Sequence, residues 1–294
     1  MDAPSIHIPV LSDEVLHGLD LRPGQVVVDG TLGGGGHTRM LAQCVGSQGL
    51  VIALDRDPLA ISRAERMLKG LPVQLVHSNF CELPEVLNAV GRASVDRILL
   101  DLGLSSDQLA DRARGFSFES DGPLDLRFDP GEGEPAWRLL QRLSAEHLAD
   151  LIYELGEERF SRRIARAIVE QRRAHPLRTA GDLAQLVRRV VPTKGRPRID
   201  PATRTFQALR IAVNSELKSL DIALRRFPEC LQADGRVAII SFHSLEDRRV
   251  KQAFRDDNRY EVLTKKPIVP NEAEVQRNAR SRSARLRIAR RTPQ

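Results

Sequence analysis

Aromatic side chains are scarce in this chain: only 4% of its 294 residues are Phe, Trp or Tyr, with one tryptophan and two tyrosines. A protein that captured flexible single strands by stacking base after base would need more rings than this. Cysteines are scarcer still. The three, Cys44, Cys81 and Cys230, lie far apart and form no CxxC pair, which argues against a disulfide framework or a structural zinc site and fits a reducing cytoplasm. No apolar run reaches the roughly 18 residues that a membrane-spanning helix requires. The opening Met-Asp-Ala-Pro-Ser-Ile-His has neither the basic start nor the apolar stretch of a secretory signal, so a cytoplasmic protein is expected. Acids are missing from one place in particular. Residues 277–291 hold seven arginines (277, 280, 282, 285, 287, 290 and 291) and no Asp or Glu.

What is present is an ordinary globular composition, 41% hydrophobic and 29% charged with a net charge of +6, in which short apolar runs end on acids. Val26 to Val28 leads into Asp29, and four glycines, Gly33, Gly34, Gly35 and Gly36, follow almost at once. Leu50 to Leu54 ends in Asp55, Val73 to Val76 leads into His-Ser-Asn-Phe, and Val95 to Leu100 ends in Asp101. Helical segments alternate with these runs. One is opened by Asp57-Pro58, since proline suits a first helical turn. Apolar strands alternating with helices predict a parallel sheet covered on both faces.

The pattern changes after Ser106. Residues 107–135 carry neither period and read as an irregular loop. Ser144 then caps a helix bearing Leu148, Leu151, Ile152 and Leu155, and Thr179 with Asp182 caps another. Phe206 to Phe227 reads as one long amphipathic helix ended by Pro228. Asp234-Gly235 turns into a strand at 236–241, and Val262-Leu263 with Leu286–Ala289 reads as a final antiparallel pair. The expected architecture is a discontinuous α/β domain, 1–106 plus 204–294, interrupted by a loop and all-helical substrate-recognition domain at 107–203.

Glycines between a first strand and a helix let a backbone turn approach a ligand closely. A P-loop would need Lys and then Ser or Thr after its last glycine, and this chain has His37-Thr38. A GxGxxG dinucleotide turn does not close either, because its last position would fall on Thr38 or Arg39. S-adenosylmethionine, with an adenosine and a zwitterionic methionine end, fits the acids better. Asp29 and Gly33 to Gly36 would face the methionine end and Asp55 the ribose hydroxyls. Ser78-Asn79-Phe80, after the third strand, would add a polar or aromatic contact, where Phe80 is equally open to plain core packing. The fold class is then a Rossmann-like class I S-adenosylmethionine-dependent methyltransferase sheet with an inserted all-helical domain. Asp101, at the carboxyl edge of the sheet where ligands bind, is a candidate catalytic residue. His243 is a second catalytic candidate, as a proton acceptor or as a structural hydrogen-bonding residue. Phe116, Phe118 and Phe242 are open to two readings, base stacking or core packing. No metal site is expected. A nicotinamide oxidoreductase and a non-catalytic RNA-binding assembly factor remain as rival readings.

Several strings resemble the bacterial small-subunit rRNA (cytosine-N4)-methyltransferases, the MraW family. They include His-Ile-Pro-Val-Leu at 7–11, Asp-Gly-Thr-Leu-Gly-Gly-Gly-Gly-His at 29–37, Asp-Arg-Asp-Pro at 55–58 and Asp-Leu-Gly-Leu-Ser-Ser-Asp-Gln-Leu at 101–109. Ala-Thr-Arg-Thr-Phe-Gln-Ala-Leu-Arg at 202–210, Ile-Ile-Ser-Phe-His-Ser-Leu-Glu-Asp at 239–247 and Asn-Ala-Arg-Ser-Arg-Ser-Ala-Arg-Leu-Arg at 278–287 extend the resemblance along the chain. It implies methylation at N4 of a decoding-centre cytidine of 16S rRNA in the small ribosomal subunit, with a homodimer left open. It also implies cofactor contacts from Gly35, Gly36, His37, Asp55, Phe80, Asp101 and Gln108. Basic residues expected to grip the RNA are Arg188, Arg189, Lys194, Arg196 and Arg198, with Arg204, Arg210, Arg280 and Arg282.

Overall fold

The computed structural model describes residues 9–117, 122–192 and 199–293. The chain forms two compact units, Met1–Ser106 with Leu217–Gln294, and Asp107–Glu216. Among the described residues no helix is long and apolar enough to cross a membrane.

The first unit is built on a seven-stranded sheet. In chain order its strands are β1 (Val26–Asp29), β2 (Leu50–Asp55), β3 (Val73–His77), β4 (Val95–Asp101), β5 (Leu231–Ser241), β6 (Tyr260–Val262) and β7 (Arg285–Arg291). Their spatial order is β3-β2-β1-β4-β5-β7-β6. The first five run parallel, and β7 lies antiparallel between β5 and β6. Successive strand residues point to opposite faces, so each strand feeds two cores. Ile98 and Leu100 join one cluster with Leu83, Leu87, Leu220, Leu224, Phe227 and Phe254. Leu99 joins the other with Leu11, Val15, Leu19, Leu41 and Val45. The covering helices are α1 (Ser12–Leu19), α2 (Gly36–Val45), α3 (Pro58–Met67) and α4 (Leu83–Ala89). After the inserted unit's α5 (Ser106–Ala110), α6 (Ala136–Arg142), α7 (Ala145–Gly156), α8 (Ser161–Ala174), α9 (Ala180–Val190) and α10 (Thr203–Asn214), the series resumes. It continues with α11 (Glu216–Cys230), α12 (Ser244–Asp256) and α13 (Glu272–Arg277). This sheet order, with its one antiparallel insertion, is the Rossmann-like class I methyltransferase fold.

Three expectations are corrected. The long helix at 206–227 is two helices, α10 and α11, because Ser215 takes a left-handed φ of 51° between them. Pro228 lies inside α11 rather than ending it. The helical unit accordingly runs to Glu216 and not to 203: α10 packs against α7, and Gly156 accommodates this, since a Cβ there would meet the Arg204 carbonyl at 2.5 Å. Finally, β5 begins at Leu231. Asp234, at φ 61°, sits where the β4–β5 register shifts, so the expected turn is an irregularity within a strand.

The helical unit buries Leu139, Leu140, Leu148, Ile152, Ile164, Ile168, Leu183, Val187, Phe206 and Leu209. Ser144 and Thr179 cap α7 and α9 as expected, each accepting a backbone N–H from three residues on. Asn214 locks the unit internally: its amide donates to the Leu126 carbonyl at 2.7 Å and accepts from Phe128 N–H at 2.7 Å.

Candidate active site

The carboxyl ends of β1, β2 and β4 bring three acids to one edge of the sheet, and each does something different. Asp29 is fully buried. One of its oxygens accepts from Thr31 N–H at 3.1 Å and the other from the Thr38 hydroxyl at 2.6 Å. Burial pushes its carboxyl above the usual 3.8, against these hydrogen bonds. The expected contact between Asp29 and a cofactor is therefore corrected: a sealed carboxylate at the end of an interior strand ties the loop to α2 and presents nothing outward.

Asp55 holds the same loop from the other side. Its Oδ2 accepts from Gly33 N–H and its Oδ1 from Asp57 N–H, both at 2.8 Å. Each oxygen keeps a second lone pair. Burial, aided by the neighbouring Asp57 and Asp29 charges, pushes the group up to about 6. Gly33 (φ 50°) and Gly35 (φ 76°) adopt left-handed backbone that the loop needs to fold back between the two acids. Gly36 begins α2 and meets Pro9, a Cβ there falling 3.0 Å from the proline ring.

Asp101 closes β4. Its N–H donates to the Thr31 hydroxyl at 2.6 Å, so Thr31 couples the ends of β1 and β4. His37, expected to contact the cofactor, turns inward instead from the first turn of α2. Its Nε2 lies 3.0 Å from the Val10 carbonyl and its Nδ1 3.5 Å from Asp101 Oδ2. A carbonyl only accepts, so Nε2 carries the proton and the Nδ1 edge faces the carboxylate. Phe80 follows β3 in a short 3₁₀ turn, half-buried against the sheet core and close over Gly30.

His243 departs from the catalytic expectation. It is the N-cap of α12, with Nδ1 accepting from Glu246 N–H at 3.4 Å and Nε2 3.1 Å from the Glu246 carboxylate. Glu246 in turn accepts from Phe242 N–H at 2.9 Å. This reciprocal cap engages the His243 ring with the first turn of its own helix. Phe242 packs over Gly103 and Phe116 stacks on Phe128, ring centroids 5.8 Å apart, so both are packing residues here; Phe118 lies outside the described residues. Gln108 is buried on α5 in the helical unit.

The arginines divide sharply. Arg287 is buried in a two-point pair with Asp247, at 2.7 and 3.2 Å, and Arg285 meets the same carboxylate at 3.2 Å. Arg290 pairs with Glu261, and Arg291 donates to the Leu231 carbonyl. The basic C-terminal segment is thus partly a sheet strand, with Arg285, Arg287 and Arg290 paired to carboxylates. Among the residues expected to hold RNA, Arg188 pairs with Asp200 at 2.8 Å and Arg210 makes two hydrogen bonds to Glu216, at 2.8 and 2.9 Å. Arg204 donates to the Glu157 carbonyl and Arg189 to Gln171. Arg280 reaches the Ser106 hydroxyl and Arg282 is exposed, while Lys194, Arg196 and Arg198 lie outside the described residues.

Sequence reasoning passed over Thr31, Thr38 and Gly30. A hydroxyl residue on each side of a glycine run that follows a buried Asp was the available signal. Gly30 is required by close approach, a Cβ there falling 2.4 Å from Leu100.

Sheet order and acidic strand ends define a methyltransferase of the Rossmann-like class. The MraW methylase family model matches residues 4–292. A ribosomal RNA small subunit methyltransferase H of Rhodopirellula baltica is 49% identical over 300 residues, covering 98% of this chain and 92% of that protein. The protein of the same name from a Cyanothece species is 51% identical over 288 residues, covering 97% and 95%. The chain belongs to the MraW methylase family.

Proposed function

We propose that this chain transfers a methyl group from S-adenosylmethionine to the exocyclic N4 amine of a decoding-centre cytidine of 16S rRNA in the small ribosomal subunit. The names borne by its relatives support small-subunit rRNA as substrate. The observation that carries the chemistry is the Asp101–His37 arrangement beside a glycine turn held by Asp55.

The residues fit the donor. Asp55 has two spare lone pairs, one per oxygen, for two vicinal ribose hydroxyls, and the Gly33–Gly36 turn offers backbone where side chains would intrude. Phe80 supplies an apolar edge for adenine. When bound, the sulfonium supplies an electrophilic methyl group. Everything else falls to the chain.

The N4 amine of cytosine is a weak nucleophile because its lone pair is delocalised into the ring. As the N–C bond forms, nitrogen becomes positive and must lose a proton. Asp101, at the mouth of the sheet, accepts a hydrogen bond from that N–H and stabilises the charge as it develops. A proton reaching Asp101 then has a second acceptor, His37 Nδ1. The Val10 carbonyl holds the ring in this tautomer. Holding donor and acceptor in line can supply about 7–11 kcal/mol of the barrier.

The test is transfer of labelled methyl to small subunits from cells lacking the modification, followed by nucleoside digestion. The expected product is N4-methylcytidine, and Asp101→Asn should slow its formation by about 100-fold or more. Label on another nucleoside, or none with the wild-type protein, refutes the proposal.

A further inference from the structure

The strongest unassigned feature is a ridge of arginines on α8. Between residues 159 and 210 the sequence holds fourteen Arg and Lys against three acids, Glu170, Asp182 and Asp200. Most of the described cations there are occupied. Arg188 has Asp200, Arg189 has Gln171, Arg204 and Arg210 have Glu157 and Glu216, and Arg178 lies over the Trp137 ring at 3.7 Å. Arg172 donates to the Leu140 and Leu143 carbonyls that end α6.

Arg162, Arg163, Arg166 and Arg173 differ: all four are exposed, and among the described residues none has a carboxylate within ion-pair distance. At about 100° per residue they fall within an arc of roughly 100°, and Arg159, exposed in the turn that leads into α8, rests on the Phe160 ring at 4.7 Å. Ile164, Ala165 and Ile168 define the opposite, buried side. One acid, Glu170, interrupts the ridge. From Arg162 to Arg173 it runs about 16 Å along the helix axis.

Four unpaired like charges on one helix face repel one another, and nothing in the helical unit's core calls for them. A row of unpaired guanidinium groups at about one-turn spacing suits a polyanion with regularly spaced phosphates. We propose that the α8 ridge binds the phosphate backbone of the substrate RNA. The proposal rests on the RNA-methylation reading above, and it moves the main grip from the residues first expected, whose described members are largely paired, to residues none of that reasoning named.

The test compares wild type with Arg162→Ala/Arg166→Ala/Arg173→Ala and with the corresponding triple Lys variant. Binding to unmethylated small subunits and to naked 16S rRNA is measured across a salt series. The Ala triple should bind both at least about tenfold more weakly near 0.1 M salt, with a log–log salt slope shallower by about two to three. The Lys triple should stay within about threefold of wild type. Thermal midpoint and S-adenosylmethionine affinity should be unchanged in both. An unchanged slope in the Ala triple, or an equal loss in the Lys triple, overturns the proposal. So does a loss confined to whole subunits, which would assign the ridge to an acidic ribosomal protein. If the wild type methylates subunits and the ridge variants bind normally, only the ridge falls. If the wild type methylates nothing, the proposed reaction falls with it.

Discussion

At Asp55 the desolvation of a carboxylate and the ligand it is suited to hold act in opposite directions. A carboxyl raised from 3.8 to about 6 binds its proton more tightly in the folded protein than in the unfolded chain. Its contribution to stability is therefore full below about 4 and lost as pH rises through about 6. Ribose hydroxyls need the ionised form. S-adenosylmethionine affinity should accordingly weaken about tenfold per pH unit below 6 and level off above it, as calorimetric titration would show. Asp55→Asn should bind weakly with this dependence gone, and a flat profile in the wild type would remove Asp55 from the site. His37 makes a separate prediction. His37→Gln can keep a donor for Val10 but loses the basic Nδ1, so kcat should fall roughly tenfold or more while cofactor affinity stays within about threefold. Equal losses in both would make His37 a brace alone.

Among the elements, β7 depends most on charge. Arg285 and Arg287 converge on Asp247, whose carboxyl lies below its ordinary value because the two arginines outweigh the burial that would raise it. Asp247→Ala strands a buried guanidinium and should cost about 3–5 kcal/mol in urea unfolding, whereas Asp247→Leu with Arg287→Met should recover much of that. Asn214→Ala, which removes the side-chain hydrogen bonds to Leu126, Phe128 and Arg210, should cost about 1–3 kcal/mol. These elements also show what can be read from sequence. Val26–Asp29 and residues 98–101 are apolar runs closing on an acid, and Asp57-Pro58, Ser144 and Thr179 are local caps; in each the deciding chemistry lies within a few residues. The break at Ser215 was not legible, because apolar spacing continues across it and only the crossing of α10 with α7 requires it. The strand β7 was legible as half of the final antiparallel pair, but the pairing of its charges was not: Asp247 is far away in sequence, so Arg285 and Arg287 read as free charge. At the site, Asp55 and Asp101 were legible as strand ends, whereas the inward turn of His37 and the capping role of His243 depend on Val10 and Glu246 geometry.

For the whole molecule, two units with separate cores imply two separable responses. In hydrogen exchange, S-adenosylmethionine should protect amides of residues 30–36 and 55–57 and leave α8 unchanged, while RNA should slow exchange in and around α8. Protection of both regions by the cofactor alone would mean that the units share one cooperative response. The order of the sheet has a further consequence, for synthesis. β7 is made after β6 yet lies between β6 and β5, so β6 has no neighbour to pair with while it emerges, and β5 keeps a bare edge until residues 285–291 follow. Throughout that interval the nascent chain carries an open, apolar strand edge beside other growing chains, where edge-to-edge association competes with closure. The paired arginines of β7 then have a second use: a strand studded with charge stays out of wrong pairings until Asp247 receives it. A methylase proposed to act on ribosomal subunits would thus complete its own sheet only once residues 285–291 have left a ribosome.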